Sequence, residues 1–296
     1  MLIRGTKAGD GLYGGAGADR IYGLAGADYI VAGYGNDVVA GAAGDDYITN
    51  LENYISTIYG EYDKFFGGDG NDTLISWSNV GELHGDRGND YLSGNAGLFD
   101  GGDGNDSIHF DNFGGKYTEV TVNAGIGNDL IQGNAGRVHG GAGDDVLYAG
   151  GSVHGDAGND YFSPPSTFAS PGPTYLTGGR GADMFDIAKH VWNSAGDVTI
   201  TDFNARDGDR LDLFAWQPEE EVGKSFAQQR LDQFYTYDRH VDPWGNQSFD
   251  GVIRIGDEHT GTAPDGSLML HTLGFVHSDL IIKGVDHIDL KDWIVW

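Results

Sequence analysis

Gly14-Gly15-Ala16-Gly17-Ala18-Asp19-Arg20-Ile21-Tyr22 is one of five consecutive stretches in which an aspartate stands two residues before an aliphatic side chain. Asp10, Asp19, Asp28, Asp37 and Asp46 follow at intervals of nine, with Leu12, Ile21, Ile30, Val39 and Ile48 in the matching places. A fixed period with a fixed role at each position marks a repeat architecture, in which one unit cannot bury its apolar face alone and stacked neighbours share a continuous core. Glycines let the first half of each unit turn with positive φ and present backbone carbonyls. The aspartate supplies the hard oxygen that Ca²⁺ prefers. The last three residues form a short strand with its middle aliphatic pointing inward. Two units make one turn of a flattened parallel coil, so aspartates two units apart stack on one edge about 4.8 Å from each other.

Beyond Asp46 the rhythm changes. After an insertion from Asn50 to Phe66, Gly-x-Asp cores recur at Asp72, Asp90, Asp106, Asp129, Asp145, Asp160 and Asp183, with gaps of 18, 16, 23, 16, 15 and 23. Each keeps an apolar residue two positions later: Leu74, Leu92, Ile108, Ile131, Leu147, Phe162 and Phe185. A whole turn now holds one aspartate motif. The intervening links, such as Gly94-Asn95-Ala96-Gly97, are too short and acid-poor for an ion loop. The pattern predicts a nearly continuous ion column from Asp10 to Asp183 on one edge. The other edge keeps Asp19 and Asp37 and then degenerates, with the stretch Pro164 to Pro173 as an excursion from it.

These nonapeptides resemble the calcium-binding repeats of the RTX (repeats-in-toxin) family. Gly178-Gly179-Arg180-Gly181-Ala182-Asp183-Met184-Phe185, then Thr201-Asp202-Phe203 and Asp209-Arg210-Leu211-Asp212-Leu213, resembles the closing block of that family, as in the serralysin C-terminal domain. The resemblance implies an all-β protein: a parallel β-roll or β-helix over residues 1–186, capped by a mainly-β region over 187–296 that carries a type I secretion signal. A helix is expected over Pro218 to Phe234, with Glu219, Glu220 and Glu221 in its first turn. Strands are expected at Gly251 to Ile255 and Asp279 to Val285. The ending Asp292-Trp293-Ile294-Val295-Trp296 is similar to uncleaved export signals of type I substrates.

The formal charge of −28 excludes nucleic acid and anionic membranes as natural direct partners, because phosphate binding needs clustered Lys and Arg. Roughly ten calcium ions would offset ~20 negative charges, which makes the acidity ligand chemistry. No cysteine is present, so disulfides and thiolate sites are excluded. No stretch approaches a transmembrane segment, and Met1-Leu2-Ile3-Arg4-Gly5 opens no signal-peptide apolar region. The sequence lacks His-Glu-x-x-His and Gly-x-Ser-x-Gly, so neither a zinc protease nor a lipase elbow is expected.

One cluster outside the columns has chemical potential. If Leu83, Phe99, Val122, Val138 and Val153 point inward, then His84, Asp100, Asn123, His139 and His154 point outward on successive rungs, with Arg137 alongside His139. Asp100, Arg137, His139 and His154 could bind an anion, a sugar or a transition metal; solvated polar residues are the plainer reading. The opposite face carries Tyr13, Tyr29, Tyr47, Ile75, Tyr91, Leu130, Val146, Tyr148 and Tyr161, a stripe suited to packing, self-association or stacking on extracellular polysaccharide. Together these features describe a secreted, extracellular or cell-surface calcium-binding protein without a recognisable catalytic domain, serving in a surface layer, matrix, adhesion or host interaction. The competing reading is an extracellular lyase-like or epimerase-like enzyme with its site on the coil.

Overall fold

The computed structural model describes residues 1–50, 62–76, 80–94, 97–110, 120–133, 136–165, 173–187, 198–212, 252–254, 260–262, 268–271, 279–283 and 287–289. Over these the protein is all-β, a parallel β-roll with no helix among the described residues. Successive short strands alternate between two sheets. Leu2–Arg4, Arg20–Tyr22 and Val38–Ala43 enter one, while Gly11–Tyr13, Tyr29–Val31 and Tyr47–Thr49 enter the other. Each residue pairs with its equivalent one turn away. Leu12 lies beside Ile30, Ile30 beside Ile48 and Ile48 beside Leu74.

This register follows from the repeat. The aliphatic two residues after each aspartate is the middle of a strand too short to bury more than one large side chain, so all of them align in a ladder. One sheet contributes Leu74, Leu92, Ile108, Ile131, Leu147, Phe162 and Phe185, and the other Phe65, Leu83, Phe99, Val122, Val138, Val153 and Leu176. All of these are buried. Insertions between turns change the gap in sequence and leave the register intact. Asp37 and Asp63 are 26 residues apart, yet their turns are adjacent, with Val39 beside Phe65.

Phe99 is 1 % exposed and its ring sits 6.1 Å from that of Phe110, on the opposite sheet. Phe99→Ala should cost about 3–5 kcal/mol in calcium-saturated denaturation, the range for a large buried aromatic. A loss below about 1 kcal/mol would mean that this rung is not packed as described.

Both sheets continue past Asp186. Val198–Ile200 pairs in parallel with Thr174–Arg180, and Arg210–Asp212 with Met184–Asp186. Asp279–Ile282 then joins Val198–Ile200, and Leu268–His271 and Thr260–Thr262 add antiparallel strands to finish a sheet of 14, against 11 on the other side. The expected strands near 252 and 279 are described as Val252–Arg254 and Asp279–Ile282. The helix expected over Pro218 to Phe234, the terminal Asp292 to Trp296 and most of the Pro164 to Pro173 excursion lie outside the described residues.

Candidate metal centres

The glycine-rich turns fold each aspartate back against its own loop. A Cβ on Gly85 would lie 2.3 Å from Asp90 Oδ2, and one on Gly101 the same 2.3 Å from Asp106 Oδ2, so these positions admit no side chain. The carboxylates then link turn to turn. The N–H of Asp72 donates to Asp90 Oδ1 at 2.7 Å, that of Asp90 to Asp106 Oδ1 at 2.8 Å, and that of Asp106 to Asp129 Oδ1 at 2.7 Å. The chain of such bonds begins at Asp10, passes through Asp28, Asp46, Asp72, Asp90, Asp106, Asp129, Asp145, Asp160 and Asp183, and ends at Asp209. A parallel chain on the other edge joins Asp19, Asp37 and Asp63. Next to the long column an exposed ladder runs in the opposite sense: the N–H of Asn89 donates to Asn71 Oδ1, that of Asn105 to Asn89 Oδ1 and that of Asn128 to Asn105 Oδ1.

The second carboxylate oxygens separate the ends of the columns from their interiors. Asp10 Oδ2 accepts from the Thr6 hydroxyl at 2.9 Å, and Asp209 Oδ2 from the Asn204 N–H at 2.7 Å. On the short edge Asp19 Oδ2 accepts from the Gly15 N–H at 2.8 Å, and Asp63 Oδ2 from the Asn50 amide at 3.3 Å. Between these ends, Oδ2 of Asp28, Asp37, Asp46, Asp72, Asp90, Asp106, Asp129, Asp145 and Asp160 is buried and meets no hydrogen-bond donor. A buried carboxylate oxygen without a donor is costly unless a cation meets it. An ordered series of them, beside stacked glycine carbonyls, is a hard-oxygen donor set that fits Ca²⁺ and lacks the nitrogen and sulfur that softer metals select.

Burial shows in the acidities. Desolvation pushes Asp72, Asp106, Asp145 and Asp160 up to about 7, and Asp37, Asp46, Asp90, Asp129 and Asp183 up to about 6. Asp19 goes the other way, held low mainly by the Gly15 N–H. A carboxyl raised in the fold stabilises the metal-free fold fully below its unfolded value near 3.8, and that stability is lost as pH rises through about 6 to 7. With calcium chelated, acidifying from neutral to about pH 4.5 should therefore increase β-sheet circular dichroism. A β signal that falls over that range would contradict the burial of these groups.

The cluster anticipated on the outer face is split by the register. Asp100 pairs with His84, Nδ1 to Oδ2 at 3.2 Å, and Asn123 stands between Asp100 and His139. His84 also stacks on Phe66, and its neighbour Glu82 is held by Lys64 at 2.8 Å and by the Tyr62 hydroxyl. His139 and His154 do meet, with rings 4.7 Å apart and 7° from parallel. Their carboxylate is Asp156, whose Oδ2 lies 3.0 Å from His139 Nδ1; Asp100 is three rungs away from His154. Arg137 lies one rung from Ser152 on the adjoining outward row.

The sequence pattern did not mark Asp63 and Asp209 as column members, although Asp209 lies in the closing block, nor Asp156 as the partner of His139. Asp63 and Asp209 lack the Gly-x-Asp core, having Glu61 and Asp207 two residues earlier, but each keeps its apolar partner, Phe65 and Leu211.

The family model for the RTX calcium-binding nonapeptide repeat matches four segments, residues 13–48, 58–78, 82–97 and 98–113. No curated protein matches the chain. The chain carries RTX-type repeats and binds multiple calcium ions. Among the described residues no helix is long and apolar enough to cross a membrane.

Proposed function

We propose that this is an exported protein whose coil, residues 1–186, folds around calcium outside the cell, with residues 187–296 forming a cap and export region. The observation that supports it best is the run of buried, donor-less Oδ2 atoms between column ends that the protein satisfies itself. We assign the ions to Asp10, Asp28, Asp46, Asp72, Asp90, Asp106, Asp129, Asp145, Asp160 and Asp183 on the long edge and to Asp19 and Asp37 on the short one. The interior members carry most of the binding. Calcium-starved cytoplasm keeps such a chain unfolded and fit for a type I exporter, and calcium outside drives folding by binding the native state alone. The role is then a surface-layer, matrix, adhesion or host-interaction one, with the tyrosine face, where Tyr29 and Tyr47 stack at 5.3 Å, available for self-association or polysaccharide.

Calorimetric calcium titrations test the assignment. Asp106→Ala removes a link from the middle of the long column and should lower both the number of ions bound and their cooperativity. Asp10→Ala alters an end whose Oδ2 already has a donor, and should change little. Equal effects would refute the difference between ends and interior. Export is tested by stopping the chain after Asp289, which spares the Asp279–Ile282 strand. In a host with a matching type I exporter the shortened protein should stay inside, and undiminished secretion would refute a terminal signal.

A further inference from the structure

We propose that His139, His154 and Asp156 form a second kind of metal site, on the outer face of the 14-stranded sheet, for a divalent ion of the zinc class. Their ligand atoms lie within 4.8 Å of one another. The parallel register sets the two imidazoles on adjacent rungs, and the chain returns Asp156 to the same face two residues after His154. Two nitrogens and one carboxylate oxygen are borderline-soft donors that favour Zn²⁺ over Ca²⁺ and leave a coordination position open to water. The site is thus chemically separate from the all-oxygen columns.

A second observation concerns the backbone of Asp156, which shares a left-handed conformation with Asp86 and Ala42 in the same row. Its φ is +73°, in the left-handed region, and its Cα partners on the neighbouring rungs are Gly141 and Gly179. Gly68, Gly102, Gly125, Gly141 and Gly179 occupy that row with φ between +102° and +117°. An aspartate where glycine is the easy residue is local strain of the sort that functional sites retain. The same His-Gly-Asp order occurs at His84-Gly85-Asp86, where Asp86 has φ +72°. There the neighbouring rung offers Asp100 instead of a second imidazole, and His84 is engaged by carboxylates, so the nitrogen pair exists only at His139 and His154 among these described rungs.

Little movement is needed. The 3.0 Å separation of His139 Nδ1 and Asp156 Oδ2 already suits two ligands of one ion, and the ion takes the place of the proton they share. His154 Nε2 lies 3.1 Å from the Ser152 hydroxyl, a partner that fixes the ring and leaves Nδ1 for the metal. Turning the stacked rings toward each other closes the nitrogens to the about 3.3 Å that tetrahedral Zn–N bonds of about 2.0–2.1 Å require. Arg137 on the same strand opposes a cation, while Asp156 and Asp202 favour one.

The test is a zinc chloride titration of the calcium-saturated protein by calorimetry near neutral pH, with calcium in excess to occupy the carboxylate columns. The wild type should show a zinc event that His139→Ala and His154→Ala each weaken by more than the ~10–100-fold typical of losing an outer-shell partner. His109→Ala, on the opposite sheet, should retain it. Asp156→Gly should lose zinc affinity without any lowering of the melting temperature in calcium, since glycine relieves the backbone. Variants that bind zinc as the wild type does would overturn the proposal, and so would a wild type with no zinc event beyond that of the His139→Ala, His154→Ala double variant.

Discussion

In excess EGTA at neutral pH the far-ultraviolet circular dichroism should lose its β-sheet signal, and calcium should restore it cooperatively. The long column places buried carboxylates at nearly every turn, and burial raises the pKa of Asp72 and Asp106 to about 7, so ionising such groups in the metal-free fold costs free energy that a cation would offset. Every ion that binds only the folded coil adds about 2.7 kcal/mol at a hundred times its dissociation constant, so several ions together exceed the roughly 5–15 kcal/mol net stability of an ordinary domain. The melting temperature should therefore rise steeply with calcium concentration. A β-rich spectrum with an unchanged melting temperature in chelator would show that the stacked core suffices alone.

The second large effect is expected at Gly104. Its φ is +142°, and a Cβ there would fall 1.7 Å from the carbonyl oxygen of Gly88, a backbone atom that cannot rotate away. Gly104→Ala must push these two turns apart and break the bond that joins them, from the Gly88 N–H to Asp103 O at 2.8 Å, for a cost above about 4 kcal/mol. Gly17 supplies the control. Its φ is +101°, but a Cβ would meet nothing within 4 Å, so Gly17→Ala should cost only the roughly 1–2 kcal/mol of an unfavourable backbone. Denaturant titrations in saturating calcium compare them, and similar losses would refute the close approach of turns at Gly88 and Gly104.

The roll and most of the aspartate columns were legible because one short strand per unit admits one inward aliphatic, so spacing alone sets register. Where spacing varies, the sequence hides which turns are neighbours. Asp63 follows Asp37 at 26 residues and Asp209 follows Asp183 at 26, and neither keeps the glycine two residues earlier that marked the others. The outward row was readable residue by residue, but its grouping was not. Asp100 went to His84 because an asparagine rung separates it from His139. Asp156 lies in the same strand as His154, two residues on, but its contact is with His139 on the neighbouring rung, through a left-handed backbone that the sequence pattern does not reveal. The split between satisfied column ends and donor-less interiors depends on Thr6, Gly15, Asn50 and Asn204, contacts that no repeat pattern encodes.

Calcium is assigned to the interior aspartates. Long-wavelength anomalous diffraction from crystals of the calcium-loaded protein tests this assignment most directly. Difference peaks should line the edge from Asp28 to Asp160 beside the Oδ2 atoms, with a further peak at Asp37 on the other edge. Interior aspartates with no anomalous peak beside them, in a protein that retains calcium, would contradict the account.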